Sequence, residues 1–295
     1  MMARIRLCPD IGHRVATPAE MQASSTPSPM RIAVAGAAGR MGRMLVAAIS
    51  AADDAQLSGA LEAAGHPLLG RDAGESIGML SGVSILDDPL QCLEEAEVLI
   101  DFTAPSACIA HVQACQARGV GMVIGTTGLE AQQRAVIAQA SSSIGIVLAP
   151  NMSVGVNVSL QLLEIAARLL GESYEVEIVE AHHRHKVDAP SGTALAMGEA
   201  VARGLGCDLQ AHAVFARHGH TGPRPRDAIG FSTIRGGDIV GDHTVLFIGA
   251  GERLEIVHRA GSRENYAQGS LRACRFLRRR SPGLYSMRDV LGLTH

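Results

Sequence analysis

The stretch RIAVAGAAGRMG, residues 31–42, decides the fold of this 295-residue chain. Its first half is a short apolar run that ends in glycine, as a buried strand does. Its second half places a glycine at every third position, and apolar residues then recur at Met41, Leu45, Ala48 and Ile49, the spacing of one helical face. A strand, a glycine turn and a helix in this order are typical of a dinucleotide-binding unit.

Short apolar runs alternate with alanine-rich helical segments over the next hundred residues. This alternation predicts β-α-β units and therefore a parallel sheet. The predicted strands are 57–62, 97–102, 120–124 and 144–148, and the predicted helices are 105–118 and 129–140.

The pattern changes after about residue 153. A helix is predicted over 157–170, with Val158, Leu162, Ile165 and Leu169 on one stripe. Residues 174–178 alternate apolar and polar, as a strand with one wet face does. Later strands are predicted at 229–235, 243–248 and 253–258. Strands that follow one another without intervening helices favour an antiparallel sheet, so we expect a second, α+β domain.

Composition excludes several classes of protein. The chain has five Phe, three Tyr and no Trp, too few aromatic rings for a base-stacking platform or a membrane girdle. The net charge of −3 provides no basic field for nucleic acid, and no apolar run approaches the length that spans a bilayer. Six cysteines without a C-x-x-C pair indicate reduced thiols in a cytoplasmic protein.

Residues 1–29 do not resemble folded protein. They end in a Ser/Thr/Pro cluster and lack the apolar core of a signal peptide. We interpret them as a disordered extension, with Met30 as the functional start; an organelle transit peptide is the alternative.

The glycine turn predicts a nicotinamide cofactor. Its backbone can approach a pyrophosphate at the helix N-terminus, and Glu62 ends the second predicted strand, where a carboxylate can bind the adenosine ribose. Residue 63 is Ala, so no basic group directly follows Glu62, although Arg40 and Arg43 could reach a 2′-phosphate. We therefore expect NADH to be used at least as readily as NADPH.

Two further loops follow predicted parallel strands, at the edge where ligands of such sheets collect. They are the segments 125–128, of sequence GTTG, and 149–153, of sequence APNMS. Both can place backbone groups and small hydroxyls near a nicotinamide ring.

The densest chemistry lies in 182–186, of sequence HHRHK, at the end of a predicted strand. So many cations together cost Coulomb energy unless an anion balances them, which predicts a dicarboxylate or phosphate ligand. Pro190 suits an early helical position, and the Ser191–Thr193 segment would offer free backbone N–H groups. A metal site built from His183 and His185 with Asp188 or Glu180 is disfavoured by the adjacent Arg and Lys, and a surface loop without function is the remaining alternative.

These residues resemble the 4-hydroxy-tetrahydrodipicolinate reductase (dihydrodipicolinate reductase) family of lysine and diaminopimelate biosynthesis. The family signature E-(I/V)-x-E-x-H-x-x-x-K-x-D-x-P-S-G-T-A runs unbroken over 177–194, and the resemblance extends from about residue 31 to the C-terminus. It implies an NAD(P)H-dependent reduction of 4-hydroxy-tetrahydrodipicolinate to 2,3,4,5-tetrahydrodipicolinate.

The resemblance also implies roles for individual residues. His182 would donate a proton, Lys186 would donate a proton or polarise the substrate, and no metal would be involved. The substrate carboxylates would be bound by His183, Ser191, Gly192 and Thr193. The cofactor would be contacted by Gly36, Ala37, Ala38, Gly39, Arg40, Met41, Glu62, Gly125, Thr126, Thr127, Ala149, Pro150, Asn151 and Met152. Ala63 departs from relatives that carry a basic residue there, which leaves a strict NADPH preference in doubt.

The family's architecture is a Rossmann-type α/β domain followed by an α+β domain on an open antiparallel or mixed sheet. Here it implies a dinucleotide-binding domain over 30–153 that the segment 263–295 rejoins, and a substrate-binding and oligomerisation domain over 154–262. The implied assembly is a homotetramer. Two other functions stay open at this point: another Rossmann-type oxidoreductase acting on a small dicarboxylate, and a catalytically silent NAD-binding regulator.

Overall fold

The stretch at 31–42 forms the predicted strand, turn and helix in the computed structural model, which describes residues 28–293. The predicted extension lies outside the described residues except for its last two. Gly36 adopts a positive φ of 68°, and a Cβ on Gly42 would overlap the carbonyl oxygen of Gly36. Both positions therefore require glycine, the first for its backbone conformation and the second for the close approach of helix and turn.

Each predicted strand or helix overlaps an observed one, with ends that differ by up to four residues, and the structure adds elements that the patterns did not predict. The first half contains β1 (Met30–Ala35), α1 (Arg40–Ser50), β2 (Ala55–Leu61), β3 (Ile85–Leu86), α2 (Pro89–Cys92), β4 (Val98–Asp101), α3 (Pro105–Arg118), β5 (Gly121–Ile124), α4 (Ala131–Ala140) and β6 (Gly145–Leu148). The second half contains α5 (Val154–Leu170), β7 (Glu175–His182), α6 (Gly192–Leu205), α7 (Leu209–His212), β8 (Ala213–Val214), β9 (Ile229–Arg235), β10 (Gly241–Ile248), β11 (Arg253–Ala260), α8 (Glu264–Leu277), β12 (Gly283–Tyr285) and α9 (Met287–Leu291).

The first sheet is a seven-stranded parallel sheet of the Rossmann type, as predicted. Its strand order is β12-β6-β5-β4-β1-β2-β3. Buried aliphatic side chains of β1, β4, β5 and β6 form its interior, and helices cover both faces. This arrangement brings the carboxyl ends of β6, β5, β4, β1 and β2 to one edge.

The second sheet has the order β11-β10-β7-β9-β8 and is mixed. β10 is antiparallel to β7 and β11, but β9 is parallel to both β7 and β8. A purely antiparallel sheet, the expectation from the strand pattern, is therefore wrong. The physical reason is that α6 lies between β7 and β9, and a helical crossover lets the later strand run in the same direction.

Helix α5 contains the predicted stripe but turns it outward. Val158, Leu162, Ile165 and Leu169 are 38–79% exposed, whereas the helix packs through a different face. The segment Val154–Ser173 is also long and apolar enough to cross a membrane by length and composition, contrary to our expectation that no such run exists. One such helix is weak evidence for a membrane span, because core helices of soluble proteins meet the same criteria of length and composition.

The C-terminal elements lie against the first sheet. β12 pairs in parallel with β6, and α8 packs against α1 and contributes Leu271 and Cys274 to the first core. The segment after residue 263 thus adds a strand and a helix to the Rossmann-type unit.

Candidate active site

The predicted cofactor residues follow four strands of the first sheet. The glycine turn follows β1, Glu62 follows β2, the segment 125–127 follows β5 and the segment 149–152 follows β6. Because these strands are parallel and close together in the sheet, their loops meet at one edge. The structure therefore brings the whole predicted set to one side of the sheet.

The glycine turn fits a dinucleotide. Gly39 is the N-cap of α1 and has no side chain to cap it, so the first helical N–H groups remain available to a pyrophosphate. A Cβ on Gly36 would lie 3.3 Å from the methyl group of Thr103, which shows how closely the turn packs on the loop after β4. The half-buried Glu62 accepts a hydrogen bond of 2.9 Å from the backbone N–H of Ala38 and so lies directly beside the turn.

Two predicted cofactor contacts have their side chains turned into the protein. The hydroxyl of Thr126 donates to the carboxylate of Asp101 over 2.9 Å, and Met152 is fully buried. These positions can offer a ligand backbone groups only. The expectation that small hydroxyls of both loops face the nicotinamide therefore fails for Thr126, because the buried carboxylate of Asp101 competes for its hydrogen.

His182 ends β7 and is oriented by a buried carboxylate. Its Nδ1 lies 2.6 Å from Oε2 of Glu180, two residues earlier on the same face of the strand. An ionised carboxylate only accepts, so Nδ1 carries the hydrogen and the titrating nitrogen is Nε2. A Cβ at Gly241 would lie 3.1 Å from Nε2, so the lack of a side chain at this position leaves room beside that atom.

Glu180 is 1% exposed and has four partners. Both terminal nitrogens of Arg235 donate to it over 2.8 Å, and it accepts further hydrogen bonds from the N–H of Ser191 and the hydroxyl of Thr233. Burial alone would raise the pKa of Glu180, but the hydrogen bonds from Arg235 and His182 outweigh it and hold the pKa below its ordinary value. The carboxylate therefore stays ionised.

The pKa of His182 lies below its ordinary value. Burial is the largest cause, the hydrogen bond and charge of Glu180 oppose it, and the charges of Lys186 and Arg235 lower the pKa further. An anionic ligand beside the ring would act in the opposite direction and favour the protonated form.

A second histidine lies behind the first. The rings of His182 and His243 meet edge to face with centroids 5.1 Å apart, and Nε2 of His243 lies 2.9 Å from the hydroxyl of Ser191. Burial and the charge of His182 lower the pKa of His243 to about 4, so this ring is neutral at pH 7. It supports the N-cap serine of α6 without adding charge.

The loop after β7 does not hold as many free cations as its sequence suggests. Lys186 Nζ lies 2.7 Å from Oδ1 of Asp188, and that bond lowers the pKa of the Asp188 carboxyl. Within residues 28–293, Nδ1 of the His183 ring is buried without a partner. No group of three His, Cys, Asp or Glu side chains among the described residues could hold a metal ion.

The N-terminus of α6 faces this loop. Ser191 is the N-cap and its hydroxyl accepts from the N–H of Ala194, so Pro190 precedes the helix and does not occupy an early helical position. The N–H of Ser191 is bound to Glu180, which leaves those of Gly192 and Thr193 for a ligand. Asn151, in the loop after β6, donates to the hydroxyl of Thr193 over 3.2 Å, and this contact joins the predicted cofactor and substrate residues.

Sequence reasoning missed Arg235 and His243 and considered Glu180 only as a metal ligand. Glu180 could have been found, because alternate residues of a strand share a face and His182 is two residues away. Arg235 pairs with His182, and His243 with Glu180, across neighbouring strands. Those registers cannot be read from one sequence.

Comparison with known proteins identifies the family. Family models described as "Dihydrodipicolinate reductase, N-terminus" and "Dihydrodipicolinate reductase, C-terminus" match residues 30–152 and 155–291. A 4-hydroxy-tetrahydrodipicolinate reductase of Nitrosospira multiformis is 57% identical over 90% of this chain and 99% of its own length. One from Burkholderia ambifaria is 59% identical over 90% of this chain and 100% of its own.

Solved structures share the fold. The dipicolinate-bound dihydrodipicolinate reductase of Paenisporosarcina sp. TG-14 has a TM-score of 0.69 at 22% identity, covering 88% of this chain and 98% of that chain. A myo-inositol dehydrogenase of Corynebacterium glutamicum has a TM-score of 0.52 at 14% identity, covering 90% and 93%. With both family models matched in sequence order and relatives this similar along almost their whole length, the chain belongs to the dihydrodipicolinate reductase family.

Proposed function

We propose that this chain reduces 4-hydroxy-tetrahydrodipicolinate to 2,3,4,5-tetrahydrodipicolinate with NADH or NADPH, in lysine and diaminopimelate biosynthesis. The observation that carries the proposal is the joint placement of the carboxylate-oriented His182 and the open N-terminus of α6 beside the cofactor loops, through the bond between Asn151 and Thr193. Relatives bearing the name of this activity match the chain from end to end of their own sequences.

The cofactor is held by backbone groups of the glycine turn and the two later loops. Residues Gly36–Met41 receive the pyrophosphate at the α1 N-terminus, and Glu62 binds the adenosine ribose. The loops Gly125–Thr127 and Ala149–Met152, at the same edge of the sheet, would hold the nicotinamide through main-chain atoms. When bound, the reduced nicotinamide supplies the hydride that reduces C4 of the cyclic imine acid.

The substrate is a dianion, and the site has matching donors. The free N–H groups of Gly192 and Thr193 bind one carboxylate at the helix N-terminus, where the helix dipole favours negative charge. The second substrate carboxylate is bound by His183 and Lys186. To do so, Lys186 gives up its ion pair with Asp188 and binds the ligand instead. Positioning of this kind supplies several kcal/mol of the rate enhancement in enzymes generally.

Proton transfer is assigned to Nε2 of His182. The two substrate carboxylates oppose the burial that lowers the pKa of His182, so binding favours the imidazolium. His182 then gives its Nε2 proton to the carbon or nitrogen that gains electron density, while Lys186 stabilises the developing negative charge. The 4-hydroxyl group leaves as water together with a hydrogen of the neighbouring ring carbon, and the resulting conjugated imine is reduced by one proton from His182 and the one hydride that the cofactor would supply.

The test is an absorbance assay of NADH oxidation with freshly prepared 4-hydroxy-tetrahydrodipicolinate. We expect oxidation that depends on both the enzyme and this substrate. Binding of NADH without turnover would indicate a silent regulator, and turnover only with another small dicarboxylate would indicate a different oxidoreductase. Either result would contradict the proposed function.

Glu62 sets the balance between NADH and NADPH. Its carboxylate lies beside the turn and would repel a 2′-phosphate, and Ala63 offers no counter-charge. We expect Glu62→Ser to raise the ratio of kcat/KM for NADPH to that for NADH about tenfold, or about 1.4 kcal/mol. Steady-state kinetics with each cofactor measures this, with the exposed Glu94→Gln as control. If the ratio of kcat/KM for the two cofactors stayed unchanged, Glu62 would not distinguish the ribose of NADH from that of NADPH.

The assembly is a homotetramer formed through the outer face of the second sheet. Helices α5 and α6 pack on its inner face, whereas Val179, Leu246 and Val257 point away from them and Val257 is 45% exposed. Leu246→Arg should dissociate the tetramer in sedimentation or light scattering. Leu162→Arg, on the exposed face of α5, is the matched control; a tetramer that survives the first variant and not the second would place the interface on α5.

The remaining assignments accompany this proposal. The two-domain division at about residue 153, with the segment after 263 returning, is supported by the separate core that surrounds the second sheet. A cytoplasmic location, with neither nucleic acid nor membrane as partner, is supported by a biosynthetic reductase activity and by the free thiols of the described residues, of which Cys92, Cys108, Cys115 and Cys274 are buried.

A further inference from the structure

A buried pair of a carboxylate and an imidazole lies beneath the cofactor loops. Asp101 is the last residue of β4 and is 0% exposed. Nδ1 of His111, on α3, lies 2.6 Å from its Oδ2, and because the carboxylate only accepts, Nδ1 carries the hydrogen. Burial alone would raise the pKa of Asp101, but the bond and charge of His111 together with two bonds from Thr103 hold it below its ordinary value. The buried group is therefore a carboxylate.

The other oxygen of this carboxylate binds two loops at once. Oδ1 accepts the backbone N–H of Thr103 at 2.8 Å, the hydroxyl of Thr103 at 2.7 Å and the hydroxyl of Thr126 at 2.9 Å. The carbonyl oxygen of Asp101 accepts the N–H of Gly125 at 2.8 Å. One residue thus fixes both the turn after β4 and the loop after β5.

Asp101 is connected to a third loop, the glycine turn after β1, through packing contacts. Asp101 lies opposite Ala35 in β1 and opposite Ile124 in β5, so it occupies the middle of the three strand ends. The Thr103 methyl group packs against Gly36, the first residue of the glycine turn. A shift of Thr103 would therefore be passed to the turn that meets the pyrophosphate.

We propose that Asp101, supported by His111, is a positioning residue that holds the loops after β1, β4 and β5 in the geometry that binds the nicotinamide cofactor. The inference deepens the proposed function and rests on it for the cofactor. Burying a charge is costly unless it is paired, and three of the four side-chain hydrogen bonds of this carboxylate come from the two threonines. Its free energy of desolvation is therefore coupled to the loop conformation.

The test separates cofactor binding from folding. Thr126→Val keeps the shape of the side chain and removes its hydroxyl, whereas Thr126→Ser restores the hydroxyl. We expect Thr126→Val to raise the Kd for NADH about tenfold, the loss expected when a buried carboxylate loses one donor, and Thr126→Ser to keep the Kd within about twofold. Asp101→Asn should raise the Kd further.

If Asp101 only stabilised the fold, the variants would change the melting temperature and not the Kd for NADH. Val112 is fully buried one residue beyond His111, so Val112→Ala should lower the melting temperature. It keeps the hydrogen bonds of the carboxylate and should leave the Kd for NADH unchanged. If Thr126→Val lowers only the melting temperature, or if Val112→Ala raises the Kd equally, the positioning role is wrong. NADH binding, followed by its fluorescence, needs no turnover. The wild type's own activity in the absorbance assay therefore reports separately on the proposed reaction.

Discussion

Replacing His182 with glutamine is expected to lower kcat by about three orders of magnitude while the Kd for NADH stays within about twofold, since a positioned acid typically contributes 10²–10⁴-fold. Glutamine is polar and similar in length but cannot release a proton at neutral pH. The residue is 9% exposed, and the hydrogen bond of its side chain goes to Glu180 and not to a cofactor loop.

His185 provides the matched control for this experiment. It lies three residues later in the same cationic loop and is exposed, with its ring near that of His183, at 6.2 Å between centroids. We expect His185→Gln to retain kcat within about threefold, because an exposed ring away from Glu180 lacks the orientation that general acid catalysis requires. If His182→Gln kept near-normal turnover, or if both variants lost activity equally, His182 would not be the proton donor.

The first sheet could be predicted well because local signals determine it. Each β-α unit carries its own apolar strand, its own turn and its own helical period, so the strand ends and the glycine turn could be placed without knowing any tertiary contact. The predicted helix at 105–118 coincides with α3. Glu62 could be placed beside the turn for the same reason, since it directly follows β2, the neighbour of β1.

The catalytic surroundings could be predicted only in part, because they depend on pairing between distant strands. Arg235 and Glu180 are 55 residues apart and meet through the parallel register of β7 and β9. The exposed stripe of α5 shows the same limit, since an apolar period predicts a helix but not which of its faces packs inward.

The alkaline fall of kcat should move in opposite directions along the pH axis when Glu180 is replaced and when Arg235 is replaced. Activity requires His182 protonated, so kcat falls as the pH rises through its pKa. The charge of Arg235 lowers this pKa and that of Glu180 raises it. We expect Arg235→Met to move the alkaline fall of kcat to higher pH, and Glu180→Gln to move it to lower pH.

The opposite directions of the two pH shifts distinguish a change in the pKa of His182 from a general loss of stability. Loss of a buried partner also destabilises the fold, so both variants should melt earlier, but lost stability alone cannot move one profile up and the other down. Arg235→Lys keeps the cation and should shift the profile less than Arg235→Met, even if the latter folds poorly. Arg217→Met removes an arginine from Glu177 on the same strand and should not shift the pH profile.

Shifts of the same sign for Arg235→Met and Glu180→Gln would show that Glu180 and Arg235 do not set the protonation of His182. Opposite shifts are expected because the two residues carry opposite charges close to the His182 ring, Glu180 bound to its Nδ1 and Arg235 bound to the same carboxylate oxygen.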